Sequence, residues 1–151
     1  MPTYTVVGED TNTASTTILY VVNGATTPRR LKLTELFIGS DDVPADSAFQ
    51  YQIKRITDEN ATPGGTAVTP GKADQDDPAA QSNGVEACTA EPTYESVHLL
   101  ELPLNQRATL RWVATPNGAL VCSATEDYGF GLFSAQATNA VVANCTMMYE
   151  E

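Results

Sequence analysis

Few side chains in this sequence could do bond-making chemistry, and their spacing decides how far each can be taken. The one histidine, His98, stands among apolar neighbours in the run Val97–Leu104. A nucleophilic Ser or Cys would need that histidine as its base, and no G-x-S-x-G elbow accompanies it. A histidine satisfied within a strand is the favoured reading. Cys88, Cys122 and Cys145 are widely spaced, with no CxxC pair. With a single histidine they fall short of an ordinary zinc site. They read as three reduced, semi-buried residues, or as one pairing, within the chain or across a subunit boundary, that leaves a thiol over. Asp74, Asp76 and Asp77 suggest a calcium loop but lack the D-x-D-x-D-G register and its later Glu, so solvated loop charges are favoured. Gly129-x-Gly131 continues with Leu, Phe and Ser, and no Walker-type glycine loop is present. Among 19 acidic residues some pair always stands near glycosidase separation, but nothing singles one out. The expectation is a protein that is not an enzyme, with no catalytic, cofactor-binding or metal-binding residues.

Composition narrows the class further. A chain of 151 residues that is 42% hydrophobic can bury a core of its own, so one domain over 1–151 is expected, with no need of disulfides. Eight basic residues against 19 acidic ones give a net charge of −11. Phosphate backbones repel such a chain, and no basic stripe offsets the repulsion, so nucleic acid is not an expected partner. Arg29 and Arg30 could form a basic contact patch, but a solvated strand edge is the favoured reading. No run approaches 18 apolar residues, so no membrane span is expected. The opening MPTYTVVGED has neither the charged nor the apolar region of a signal peptide.

The elements that must position these residues read as strands. The framework is Leu31–Thr57, two strand-like runs around the loop Gly39–Asp46, read as a hairpin. In the second run Phe49, Tyr51 and Ile53 alternate with Gln50, Gln52 and Lys54, a period of two that puts one face on a core. Tyr4–Val7 forms a short strand at the end of an N-terminal arm, residues 1–7, and Ser15–Val22 is rich in β-forming side chains. Residues 58–95 change character. Pro63, Gly64, Gly65, Pro70, Gly71, Pro78, Gly84 and Pro92 fall there, which predicts one long loop with a brief strand at Gly65–Pro70. Within it Asp77–Gly84 has a capping Asp, Pro at the first helical position and Gly past the end, the signature of a short helical turn. Strands return at Val97–Leu104, where Pro103 indicates an edge, and at Gln106–Ala114, where Leu110 and Trp112 share the core-facing side. Pro116–Asn117–Gly118 is a tight turn before Ala119–Ser123. In Tyr128–Ser134, Gly129 and Gly131 share one face and invite close approach by another layer. Val141–Tyr149 is the last strand. Eight to ten short strands with almost no helix predict an all-β antiparallel sandwich or jelly roll.

Taken over its whole length, the chain resembles a family of small virion proteins of tailed bacteriophages. The stretches that carry the likeness are GEDTNTASTTILYVV, LFIGSDDVPADSAFQYQIKRIT, GTAVTPGKADQDDPAAQSNG, AEPTY, LNQRATLRWVATPNGALV and YGFGL, with the acidic C-terminal strand. The resemblance implies a capsid decoration (cement) protein with a β-sandwich fold and no catalytic residues. It would be made in the host cytoplasm and carried on the outer surface of the virion. Its implied partners are the major capsid protein and copies of itself, a trimer ahead of a dimer. The contacts are expected from Met1–Val7, Asp58–Glu95 and Gly39–Asp46. Two other classes stay open: a receptor- or carbohydrate-binding sandwich of a tail or fibre, which clustered exposed aromatics would favour, and a small hydrolase.

Overall fold

The computed structural model describes residues 1–60, 64–137 and 139–151; Pro63 lies outside them. Among the described residues, twelve strands run in chain order as β1 (Thr3–Thr11), β2 (Thr16–Asn23), β3 (Lys32–Ser40), β4 (Ala48–Asp58), β5 (Thr66–Val68), β6 (Gly71–Lys72), β7 (Ser82–Glu86), β8 (Thr93–Asn105), β9 (Leu110–Val113), β10 (Leu120–Val121), β11 (Gly129–Ala137) and β12 (Val142–Glu150). They form two six-stranded antiparallel sheets. Sheet A has the order β10-β3-β12-β1-β6, with β9 also on β3; sheet B has the order β5-β7-β2-β11-β4-β8. The chain is an all-β sandwich, as the alternating patterns predict.

Each sheet turns one face of its strands to a shared core. From sheet A, Tyr4, Val6, Leu33, Leu36, Ile38, Ala143, Cys145, Met147 and Tyr149 point inward; from sheet B come Leu19, Val21, Phe49, Tyr51, Ile53, Phe130 and Leu132. The alternation is cleanest in β12, where every second residue from Ala143 to Tyr149 is buried. Trp112 and Leu110 pack on this core from β9 but are only half-buried, because β9 is a short strand at the margin of sheet A. Pro103 lies on β8, the edge of sheet B, where its missing N–H costs no ladder bond.

Three expectations are corrected. Leu31–Thr57 is not a hairpin: β3 lies in sheet A and β4 in sheet B, so the loop between them crosses the sandwich. No helix occurs among the described residues, and Asp77–Gly84 holds no helical turn; Ser82–Gly84 instead open β7, which pairs with β2 and β5. The capping pattern there loses to strand pairing and burial, since Val85 reaches an apolar cluster with Tyr20 and Val22. Residues 58–95 are accordingly not one loop but a segment carrying β5, β6 and β7 and touching both sheets.

Among these strands, no two that are consecutive in the sequence pair with each other. Each connection therefore crosses between sheets or skips to another position within its own.

Candidate functional site

The three stretches expected to make contacts sit at defined places. Residues 3–7 are no free arm: they lie inside β1, held by β12 on one side and by β6 on the other. Tyr4 and Val6 face the core, which leaves Thr3, Thr5 and Val7 to face outward. Residues 58–95 meet β1 directly, with Tyr4 opposite Lys72 and Thr5 opposite Gly71. The fold thus brings the first two stretches together. Gly39–Asp46 lies at the opposite end of β3, a strand of nine residues, about 30 Å long.

Within the second stretch, between Glu59 and Val85, the chain forms a cleft of about 620 Å³. Its origin is local. Strand β5 pairs with β7 as far as Val68 opposite Gly84; Pro70 then has no N–H to continue the ladder, and the chain crosses to sheet A as β6. Ser82 and Asn83 of β7, together with Ala79 and Ala80, are left facing the gap across from Val68 and Pro70. Glu59 and Lys72 supply its charges. Burial pushes the Glu59 carboxyl up, against the hydrogen bond it accepts from the Tyr20 hydroxyl at 3.0 Å, with the nearby Asp127 charge adding to the rise. The Lys72 amine donates to the Gln75 carbonyl at 3.2 Å.

The wall beside this cleft is cross-braced. The Glu151 carboxylate accepts from the Gln81 N–H at 2.6 Å, the Ser82 N–H at 3.2 Å and the Ser82 hydroxyl at 2.8 Å. The Ser82 hydroxyl also bonds the Tyr149 hydroxyl at 2.6 Å, and the Tyr4 hydroxyl donates to the Pro78 carbonyl at 3.0 Å. These bonds fix the start of β7 and residues 78–82 to the ends of β1 and β12 in the other sheet.

Residues 87–95 fold over the outer face of sheet B, where Cys88 and Tyr94 pack on Tyr20, Val22 and Ile56. Tyr94 lies over Gly131, where any side chain would strike its phenol ring. Its hydroxyl bonds the Thr17 hydroxyl at 2.6 Å, and its ring meets Phe133 edge-on at 5.7 Å. The glycine face of the YGFGL stretch is therefore what admits this covering layer. The Lys54 amine sits 3.8 Å above the Phe133 ring, and burial there lowers its affinity for a proton, with Glu91 opposing.

At the far end, Asp41, Asp42 and Asp46 are exposed and Val43 stands 89% exposed at the loop tip. The base of this loop is tied down. The Ala45 N–H donates to Gln106 at 2.7 Å and Asn105 donates to Asp46 at 2.6 Å.

The residues that could have done chemistry are dispersed. His98 is on exposed β8 with Nδ1 3.0 Å from Glu101. The three cysteines are buried, and no disulfide joins any two of them within the chain. Asp74 spends its carboxylate on the Asp76 N–H at 3.0 Å, and no group of three His, Cys, Asp or Glu among the described residues could hold a metal. Arg30 lines a shallow second pocket with Arg55, whose guanidinium is committed to the Val121 carbonyl at 2.9 Å and to Glu95 at 3.3 Å. Sequence reasoning missed Asn12, Tyr94 and Glu151, polar residues whose partners lie at least 39 positions away. Nothing local marks them. Comparison with known proteins finds no family model, curated protein or solved structure that matches this chain.

Proposed function

We propose that this protein is a structural component of a bacteriophage virion that binds the outside of an assembled head and stabilises it. The observation that carries the reading, beside the sequence resemblance, is a sandwich that places the stretches expected to make contacts at its two ends, about 30 Å apart along β3. One end presents the cleft and residues 58–86; the other presents the acidic Asp41–Asp46 loop. A subunit that touches two shell proteins at once binds the assembled lattice more tightly than its separated parts. It stabilises the lattice by that difference in affinity. The net charge of −11 suits an outer surface better than one facing packaged DNA. The role needs no catalytic residue. All eleven aromatic side chains are buried or half-buried, which gives a glycan-stacking reading no platform to build on.

Heads lacking the protein should assemble but rupture at lower temperature or under osmotic shock, and purified protein added back should restore them. Protein that ignores heads but binds tails or a glycan array would overturn this reading in favour of receptor binding.

A further inference from the structure

The two sheets differ in what covers their outer faces. On sheet B, Cys88 and Tyr94 cover the outer face at Tyr20, Val22 and Ile56. On sheet A, none of the outward-facing residues of β1, β12, β3 and β9 is buried. The strand registers place an apolar side chain on each of these four strands in turn: Val7, Met148, Phe37 and Val113, staggered between two neighbouring rows. Val7 is 52% and Val113 50% exposed. Thr5 and Thr146 fill the same rows.

We propose that this face of sheet A is where a second copy of the chain docks, sheet against sheet. Charge argues for that occupant. The face carries Lys32 and Arg111 against Glu9, Glu35 and Glu150, a net of −1, which leaves −10 of the chain's −11 elsewhere. Most of these charges are already used: Lys32 pairs with Glu150 at 2.8 Å, and Arg111 pairs with Glu35 while its guanidinium lies 5.4 Å from the Phe37 ring centre. A basic partner would be steered to the acidic remainder of the surface. A copy, itself at −11, meets little repulsion at this nearly neutral face.

Area sets the strength. Three nine-residue strands, about 4.8 Å apart and about 30 Å long, with the four-residue β9 beside them, present roughly 500 Å² on each copy, or about 1,000 Å² for the pair, near the lower bound for a specific interface. The association is then of micromolar order. Such a contact is isologous and closes as a two-fold dimer, in place of the trimer favoured by the sequence resemblance. It stands whether or not the protein binds phage heads.

The test is sedimentation velocity of the full chain at roughly 100 µM, above a micromolar Kd. Val7→Asp and Val113→Asp lie at opposite margins of the face and are half in water, so each should leave circular dichroism and melting unchanged. Each should weaken the dimer by about tenfold or more, since a charge would be buried on association. Val97→Asp, an equal change on the β8 edge at 62% exposure, should leave the dimer intact. A monomeric wild type at this concentration overturns the proposal. So does a dimer that survives both face variants, or one that only Val97→Asp breaks. A monomer whose Val7→Asp variant loses binding to heads would also overturn it, giving the face to a shell protein instead.

Discussion

The Glu151 carboxylate bonds both the backbone N–H and the hydroxyl of Ser82, joining the end of sheet A to the first residue of β7 in sheet B. Both residues are buried, so losing the acceptor leaves donors without water to replace it. Glu151→Ala should cost about 2–3 kcal/mol in urea unfolding. Ser82→Ala should cost less, and the double variant should fall short of the sum. Full additivity would mean that the two residues do not act on each other.

A second buried bridge lies at the opposite end. Asn12 donates to the Tyr51 hydroxyl at 2.7 Å, and its carbonyl oxygen accepts from the Val141 N–H at 2.8 Å. Asn12→Leu should lower stability by about 2–3 kcal/mol, because it strands a buried N–H and removes a partner from Tyr51. Tyr51→Phe, which removes only one side of the pair, should cost about 1 kcal/mol. Thermal melts of the two variants decide the order.

Gly131 predicts a packing conflict. Gly131→Ala pushes a methyl group into the Tyr94 ring and should cost about 1–3 kcal/mol. Shrinking the roof with Tyr94→Leu should recover part of that loss in the double variant. No recovery would mean that the strain lies in the β11 backbone instead.

Alkaline pH should destabilise the protein, in part through its buried thiols. Burial pushes the Cys88 thiol up to about 12, with Glu91, Asp10 and Glu59 adding to it, and the Cys122 thiol up to about 11, from an ordinary value of 9.0. Between those values the folded chain holds protons that the unfolded chain has lost. The stabilisation is full below pH 9 and declines as pH rises toward 11 to 12. Cys88→Ala should flatten that decline, measured as urea midpoints from pH 8 to 11. In the native protein at pH 8, thiol reagents should react far more slowly than with the unfolded chain.

Trp112 is the sole tryptophan and only half-buried. Trp112→Ala should cost about 2 kcal/mol, less than the roughly 3–5 kcal/mol of a fully buried aromatic. Acrylamide should quench its fluorescence in part. Complete protection would place β9 deeper than the edge of sheet A.

The sequence by itself determined that this chain is built mostly of strands and, in the cleanest of them, which side is apolar. The period of two in Phe49–Ile53, and the shared core-facing side of Leu110 and Trp112, are read from nearest neighbours alone, whereas the partial exposure of that pair comes from β9 lying at the margin of sheet A. Edge position at Pro103, the turn at Pro116–Gly118 and the open face at Gly131 were legible for the same reason: each is a property of one residue's backbone. The pairing was not legible, because no strand bonds to its neighbour in the sequence. Turn chemistry can announce a hairpin, but nothing local announces that β3 and β4 lie in different sheets. The helix signals of Asp77–Gly84 were outweighed when β7 found β2 and β5, since pairing and burial exceed the small energy of a cap. The cleft, the Glu151–Ser82 brace and the bare face of sheet A follow from that crossing of the chain between sheets. Only the tertiary structure could decide them, because each is made by residues that meet solely after distant strands have paired.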